Sequence, residues 1–150
     1  MSQSMTLAER PRLPLRRRLL PLLAVGAARP LARLKPARLR TVLECARRGA
    51  SPAGARQART ARDQVVSVSL RCAGQNCLQR SIATALLCRA RGVWPTWCTG
   101  VRTHPFAAHA WVEADGQLIG EPHPQGYYKP LLTVPPRAGG AGDPQEVAAR

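Results

Sequence analysis

Between Asn76 and Gly92 the chain runs Cys-Leu-Gln-Arg-Ser-Ile-Ala-Thr-Ala-Leu-Leu-Cys-Arg-Ala-Arg. It has punctuation at both ends and is too long for one strand. Leu78, Ile82, Ala85, Leu86 and Cys88 recur at helical spacing. Asn76 suits an N-cap and Gly92 a C-cap, so the pattern predicts a helix over 77–91. After it the period changes to two. Residues 93–101 read as a strand, 108–114 as a second and 117–122 as its partner, with Asp115-Gly116 in the turn. A strong helix followed by antiparallel strands defines an α+β chain. At 150 residues and 45% hydrophobic composition it has room for one core.

Upstream, residues 37–49 read as a basic helix ending at Gly49 and 51–54 as a loop. Residues 55–70 read as a second helix and 72–76 as a turn. The expected organisation is a disordered stretch 1–12, a basic helical segment 13–62, a core 63–135 and a flexible tail 136–150. Pro and Gly take over from Pro130, so the chain is expected to fray there. Arg16-Arg17-Arg18 ahead of Leu19–Ala28 has the outline of a secretory signal. Against that, Leu31, Leu34 and Leu39 continue the pattern among basic residues, with Pro30 and Pro36 as breaks. Five Cys is also an odd number without a disulfide-framework spacing. The expected location is cytoplasmic, with no membrane-spanning segment.

The formal net charge is +15 and is unevenly placed. Residues 1–62 hold 15 Lys and Arg against 2 acids, and residues 63–150 hold 8 against 6. The basic half has no Phe, Tyr or Trp to stack on bases and no zinc-finger or basic-zipper pattern. Nucleic acid is therefore not the expected partner. A solvated face or an acidic peptide or protein partner remains.

Cys77 stands at the first turn of the predicted helix, where unpaired N–H groups and the helix dipole favour a thiolate. The same N–H groups, that of Cys77 included, can serve an oxyanion. A thiol nucleophile needs a base, and the base needs an orienting group. His109 is the candidate base, at the start of a strand. Hairpin register decides which acid reaches it. With a two-residue turn at Asp115-Gly116, His109 faces Pro122 and Glu121 points to the other face. With a three-residue loop Ala114-Asp115-Gly116, His109 faces Glu121. Gly at the last loop position suits the second form, making Glu121 the orienting carboxylate. Asp115 is too far along the hairpin, and Glu113 sits roughly 13 Å down the strand.

A Cys at a helix start is commonly a small buried apolar residue, and a strand His is commonly satisfied locally. The order of Cys, strand His and acid is what points to chemistry. Cys88 falls on the same helix face as Cys77 and reads as core, and Cys45, Cys72 and Cys98 have no basic partner in sequence. Cys72 is near enough to Cys77 for a redox pair. His104 and His123 read as surface loop residues. Trp94, Trp97 and Trp111 read as core or cleft wall.

Over residues 77–92 and 105–122 the sequence resembles the protease component of lasso peptide biosynthesis, of transglutaminase-like (papain-like) cysteine peptidase fold. The shared residues are Cys77, Leu78, Arg80, Ser81, Arg91 and Gly92, then Pro105, Phe106, His109, Ala110, Trp111, Val112 and Glu113. The resemblance covers roughly residues 60–135 and implies a leader peptidase. Its substrate would be a ribosomally made precursor peptide, cut so that a separate cyclase can close the macrolactam. The 60-odd residues ahead of the motifs are too few and too basic for a leader-recognition domain. The resemblance is thus to the stand-alone protease, with a separate recognition protein as partner. It implies Cys77 as nucleophile, His109 as acid and base, and no metal or organic cofactor. The third position is usually Asp in that family, where this chain has Glu121. A non-catalytic basic adaptor, and amide transfer by the same Cys and His, are the competing readings.

Overall fold

A computed structural model describes residues 13–137. The stretch 1–12, expected disordered, and all but the first two residues of the expected flexible tail lie outside the described residues. Five helices come first and in part interleave with strands: α1 (Leu19–Leu31), α2 (Pro36–Ala46), α3 (Ala55–Val68), α4 (Leu70–Ala73) and α5 (Cys77–Ala90). The strands are β1 (Ser51–Pro52), β2 (Val93–Trp94), β3 (Thr96–Thr103), β4 (Phe106–Ala114), β5 (Gln117–Leu118) and β6 (Lys129–Val134). β5, β4, β3 and β6 form an antiparallel sheet in that order, while β1 and β2 make a short parallel pair.

The central helix is α5. Its face is not a stripe, because Gln79, Ser81, Ile82, Ala83, Thr84, Ala85, Leu87 and Cys88 are all buried. Small side chains at these positions let α1, α3 and the sheet close in around it. The buried hydroxyls are satisfied. Ser81 Oγ donates to the Leu78 carbonyl and accepts the Trp97 indole N–H, and Thr84 donates to the Arg80 carbonyl. The charge step at residue 62 lies inside α3, and the core draws on both sides of it, from Ala24, Val25, Leu39 and Leu43 to Trp94, Trp97 and Ile119. α5 begins and closes as its sequence predicts, with Gly92 at φ +81. Asn76 takes the N-cap position without capping, since its amide donates to the Arg71 carbonyl.

Three strand expectations are corrected. The strand expected over 93–101 is split at Pro95, which has no N–H for a ladder. The first piece pairs with β1 and the second with β4. The partner expected over 117–122 is a ladder of two residues only. The chain expected to fray from Pro130 instead forms β6, pairing with β3 and burying Val134. β6 is an edge strand, where a proline is tolerated, and β3 shifts register beside it between Thr99 and Gly100. The turn expected over 72–76 is partly helix, as α4 runs to Ala73.

Candidate active site

The head of α5 and the middle of β4 meet at Cys77 and His109. Burial alone pushes the Cys77 thiol pKa up. Hydrogen bonding to the His109 ring and to the Ala110 backbone N–H, with the charges of His109 and Arg80, outweighs that and lowers it. Burial would likewise depress His109. The bonds to Cys77 and Glu121 and the charges of both raise it instead to about 9. The two shifts run in opposite directions, and both favour the thiolate–imidazolium form of the pair.

Glu121 Oε2 lies 2.6 Å from His109 Nε2, and the carboxylate is 6% exposed. With Nε2 engaged by Glu121, Nδ1 is the ring nitrogen left to serve the thiol. The three expected residues are thus together, but not by the expected register. Glu113 pairs with Leu118 and Ala114 with Gln117, so Asp115-Gly116 is a two-residue turn and not the three-residue loop. Asp115 at φ 51 and Gly116 at φ 69 are the two left-handed positions a tight hairpin of this kind requires. The ladder would send Glu121 to the wrong face. It ends instead with the Ile119 N–H on the Val112 carbonyl. Gly120 at φ +66 then turns the chain and swings Glu121 under His109.

Arg80 joins the parts. Its side chain is 13% exposed, with Nη1 donating to the carbonyls of Cys72 and Gly74 at 3.2 Å each. Nη2 stands 3.9 Å from Glu121 Oε1. One guanidinium thus braces the loop that presents Cys77 and the carboxylate that orients His109. Arg62, also 13% exposed, packs against Gly120, and burial lowers its pKa. The sequence marks Arg80 only as a motif residue. Its partners come from a preceding loop and a distant turn, so helical periodicity carries no trace of them.

The His109 ring stacks on Tyr128 at 4.9 Å between centroids and on Trp111 at 6.0 Å. With Glu121 and His123 these residues wall a cavity of about 260 Å³. Tyr128 was not singled out in the sequence, because the segment ahead of β6 has no period to place it. His104 is exposed beside Thr103, and half-buried His123 stacks on Tyr127 at 4.1 Å, so neither meets Cys77.

The expected oxyanion donor is displaced. The Cys77 N–H donates to the Gln75 carbonyl at 2.9 Å across Asn76, which has φ −82 and ψ 62. This inverse γ-turn occupies the N–H in the resting site. All five cysteines are free thiols. Burial raises the pKa of Cys72, and takes Cys88 and Cys98 to about 12. Among the described residues no group of three His, Cys, Asp or Glu gathers to hold a metal.

An α+β core with a thiol at a central helix head, a strand imidazole and an orienting acid defines a papain-like architecture. The model of the transglutaminase-like superfamily matches residues 21–133, and the chain belongs to that superfamily. Its members are generally enzymes of cysteine peptidase or transglutaminase type. No curated protein and no solved structure matches the chain significantly. Among the described residues no helix is long and apolar enough to cross a membrane.

Proposed function

We propose that the chain is a cysteine peptidase that removes the leader from a ribosomally synthesised lasso precursor peptide. The observation that carries the hydrolase reading is Glu121 at 2.6 Å from His109 Nε2, with the Cys77 thiol close enough to that ring for the two to shift each other's pKa. The lasso assignment rests on the Cys-Leu-x-Arg-Ser and Pro-Phe-x-x-His-Ala-Trp-Val-Glu stretches. It places the enzyme in the cytoplasm, with a separate recognition protein presenting the leader and a cyclase taking the freed core.

In the proposed cycle the Cys77 thiolate attacks the scissile carbonyl, and the oxyanion develops at the positive end of α5. The imidazolium of His109 protonates the leaving amine, and a thioester with Cys77 remains. Neutral His109 then takes a proton from water, which attacks the thioester and returns the thiolate. Glu121 keeps the ring oriented throughout.

The test incubates precursor and recognition protein with the full chain and reads fragment masses. Leader release by the wild-type chain, absent in Cys77→Ala and after thiol alkylation, is the expected result. Unchanged processing by Cys77→Ala would move the chain to the adaptor reading. A product joined to an added amine would move it to amide transfer.

A further inference from the structure

Cys77 also lines a groove of about 310 Å³ that shares no residue with the aromatic cavity. Arg29 and Arg33, from the end of α1 and the turn after it, form one bank, and Arg71 of α4 closes another. Gln75, Asn76 and Cys77 complete the wall beside the thiol. The three arginines are exposed, and among the described residues none is paired with an acid or spends its guanidinium in a hydrogen bond. No carboxylate lines the groove, and three acids of the core have partners elsewhere. Glu121 is on His109, Asp63 is beside Arg62, and Asp115 takes the Ala55 N–H.

The bank is held in place. α1 packs along α5, and the buried amide of Gln79 donates to the Val25 carbonyl at 3.4 Å, one turn before Arg29. Three like charges line one depression with no internal counter-charge, and Cys77 itself is part of its lining. An extended peptide advances about 3.3 to 3.6 Å per residue. A groove of this size beside Cys77 therefore holds side chains within two or three residues of the attacked bond.

We propose that the groove of Arg29, Arg33 and Arg71 receives a carboxylate-bearing residue of the peptide that Cys77 attacks. The inference rests on the thiol being the reacting group, but not on the precursor being a lasso peptide. Guanidinium groups match carboxylates in planar, two-bond geometry, and three of them attract an acidic side chain before contact is made. The same charge repels a basic residue at that position, so the groove selects as well as binds.

Protection of Cys77 from alkylation tests this without any cleavage. The full chain is treated with iodoacetamide at low salt, and labelling of Cys77 and Cys45 is followed by peptide mass spectrometry. Exposed Cys45, on α2, is the internal reference. Hexaglutamate is expected to slow labelling of Cys77 several-fold, hexaglutamine is expected to have no effect, and 0.5 M salt is expected to abolish the difference. Arg29→Gln/Arg33→Gln/Arg71→Gln, all at exposed positions, is expected to keep the thermal midpoint and lose the protection. In the same variant the rate of iodoacetate relative to iodoacetamide at Cys77 is expected to drop about five- to tenfold. Equal protection by hexaglutamine, or hexaglutamate protection that survives in the triple variant, would overturn the proposal. So would better protection by inorganic phosphate or by oligo-dT, which would make the groove a site for phosphate or nucleic acid. Loss of precursor cleavage with protection intact would overturn the leader-peptidase reading and leave this one standing.

Discussion

Glu121 reaches His109 at 2.6 Å across the end of a hairpin whose own register would part them. The device is Gly120. Its φ of +66 ends the extended run after Ile119 and brings the next side chain back under the sheet. Arg62 lies so close that a Cβ on residue 120 would sit 2.5 Å from its Nε. The conformation and the lack of a side chain are both required there.

Gly120→Ala should therefore harm stability and site together. An alanine at positive φ costs on the order of 1 kcal/mol, and displacing a packed guanidinium adds to that. A loss of about 1–3 kcal/mol in denaturant unfolding is expected, with at least a tenfold fall in kcat/KM. Adding Arg62→Ala should return part of the stability by opening space, while the strain at φ +66 stays. Additive losses in the double variant would show that Arg62 does not press on this position.

The charge state of the pair sets a pH profile. His109 is raised to about 9 from an ordinary 6.5, so its proton contributes to stability fully below about 6.5. That contribution is lost as pH rises through about 9. Cys77 is lowered from an ordinary 9, so thiolate persists to more acid pH than in a free thiol. kcat/KM should fall as pH climbs through about 9, where the imidazolium that protonates the leaving amine disappears. In Glu121→Gln that limb should move down towards the ordinary imidazole range, with a rate loss on the order of 10²- to 10⁴-fold. Asp115→Asn, at the hairpin tip, should leave the profile alone. It should cost about 0.5–1 kcal/mol, since Asp115 Oδ2 takes the Ala55 N–H at the start of α3 at 2.7 Å. A larger rate loss in Asp115→Asn than in Glu121→Gln would remove Glu121 from its role.

Arg80 separates charge from geometry. Arg80→Lys keeps the charge near Cys77 and Glu121 but cannot span the Cys72 and Gly74 carbonyls as a fork does. It should lose about 1–3 kcal/mol of stability and lower kcat/KM tenfold or more. Arg80→Gln removes the charge as well and should slow iodoacetamide labelling of Cys77 more than Arg80→Lys does. Equal labelling rates in the two variants would confine Arg80 to bracing the loop.

The contrast between α5 and its surroundings shows what a linear reading can hold. Periodicity and the C-terminal Gly92 are local, and they place α5 and the Cys77 at its head, with Asn76 at the N-cap position but not capping. The strand carrying His109 is visible for the same reason, from alternation over a few residues. The sequence brings Glu121 to His109 through a three-residue loop, whereas the structure has a two-residue turn and a glycine kink. Register follows the turn at Asp115-Gly116, and pairing stops at Gly120, whose close neighbour Arg62 comes from distant α3. β6 was hidden because Pro130 reads as a breaker, and only its place at the sheet edge makes it acceptable. Arg29 and Arg33 read as part of a diffuse charge run, and Arg71, outside that run, joins them at the groove only after α1 folds onto α5.

The wall of the aromatic cavity depends on one close approach between β3 and β6. Gly100 lies opposite Pro130 at the register shift, and a Cβ there would run into the Lys129 carbonyl and come 2.9 Å from Trp111 Cη2. Backbone cannot retreat as a flexible side-chain tip can, so Gly100→Ala has to move β6 or the indole. Tyr128 directly precedes β6, and Trp111 stacks on His109, so either movement loosens the cradle of the imidazole. Gly100→Ala should lose about 2 kcal/mol or more and reduce hydrogen-exchange protection of Leu131–Val134. kcat should fall, and Cys77 labelling by iodoacetamide should slow with it, because the His109 ring that lowers the thiol pKa is the group set loose. If stability and exchange match the wild-type chain, the edge strand is more yielding than its packing implies, and the aromatic wall does not hold His109 in place.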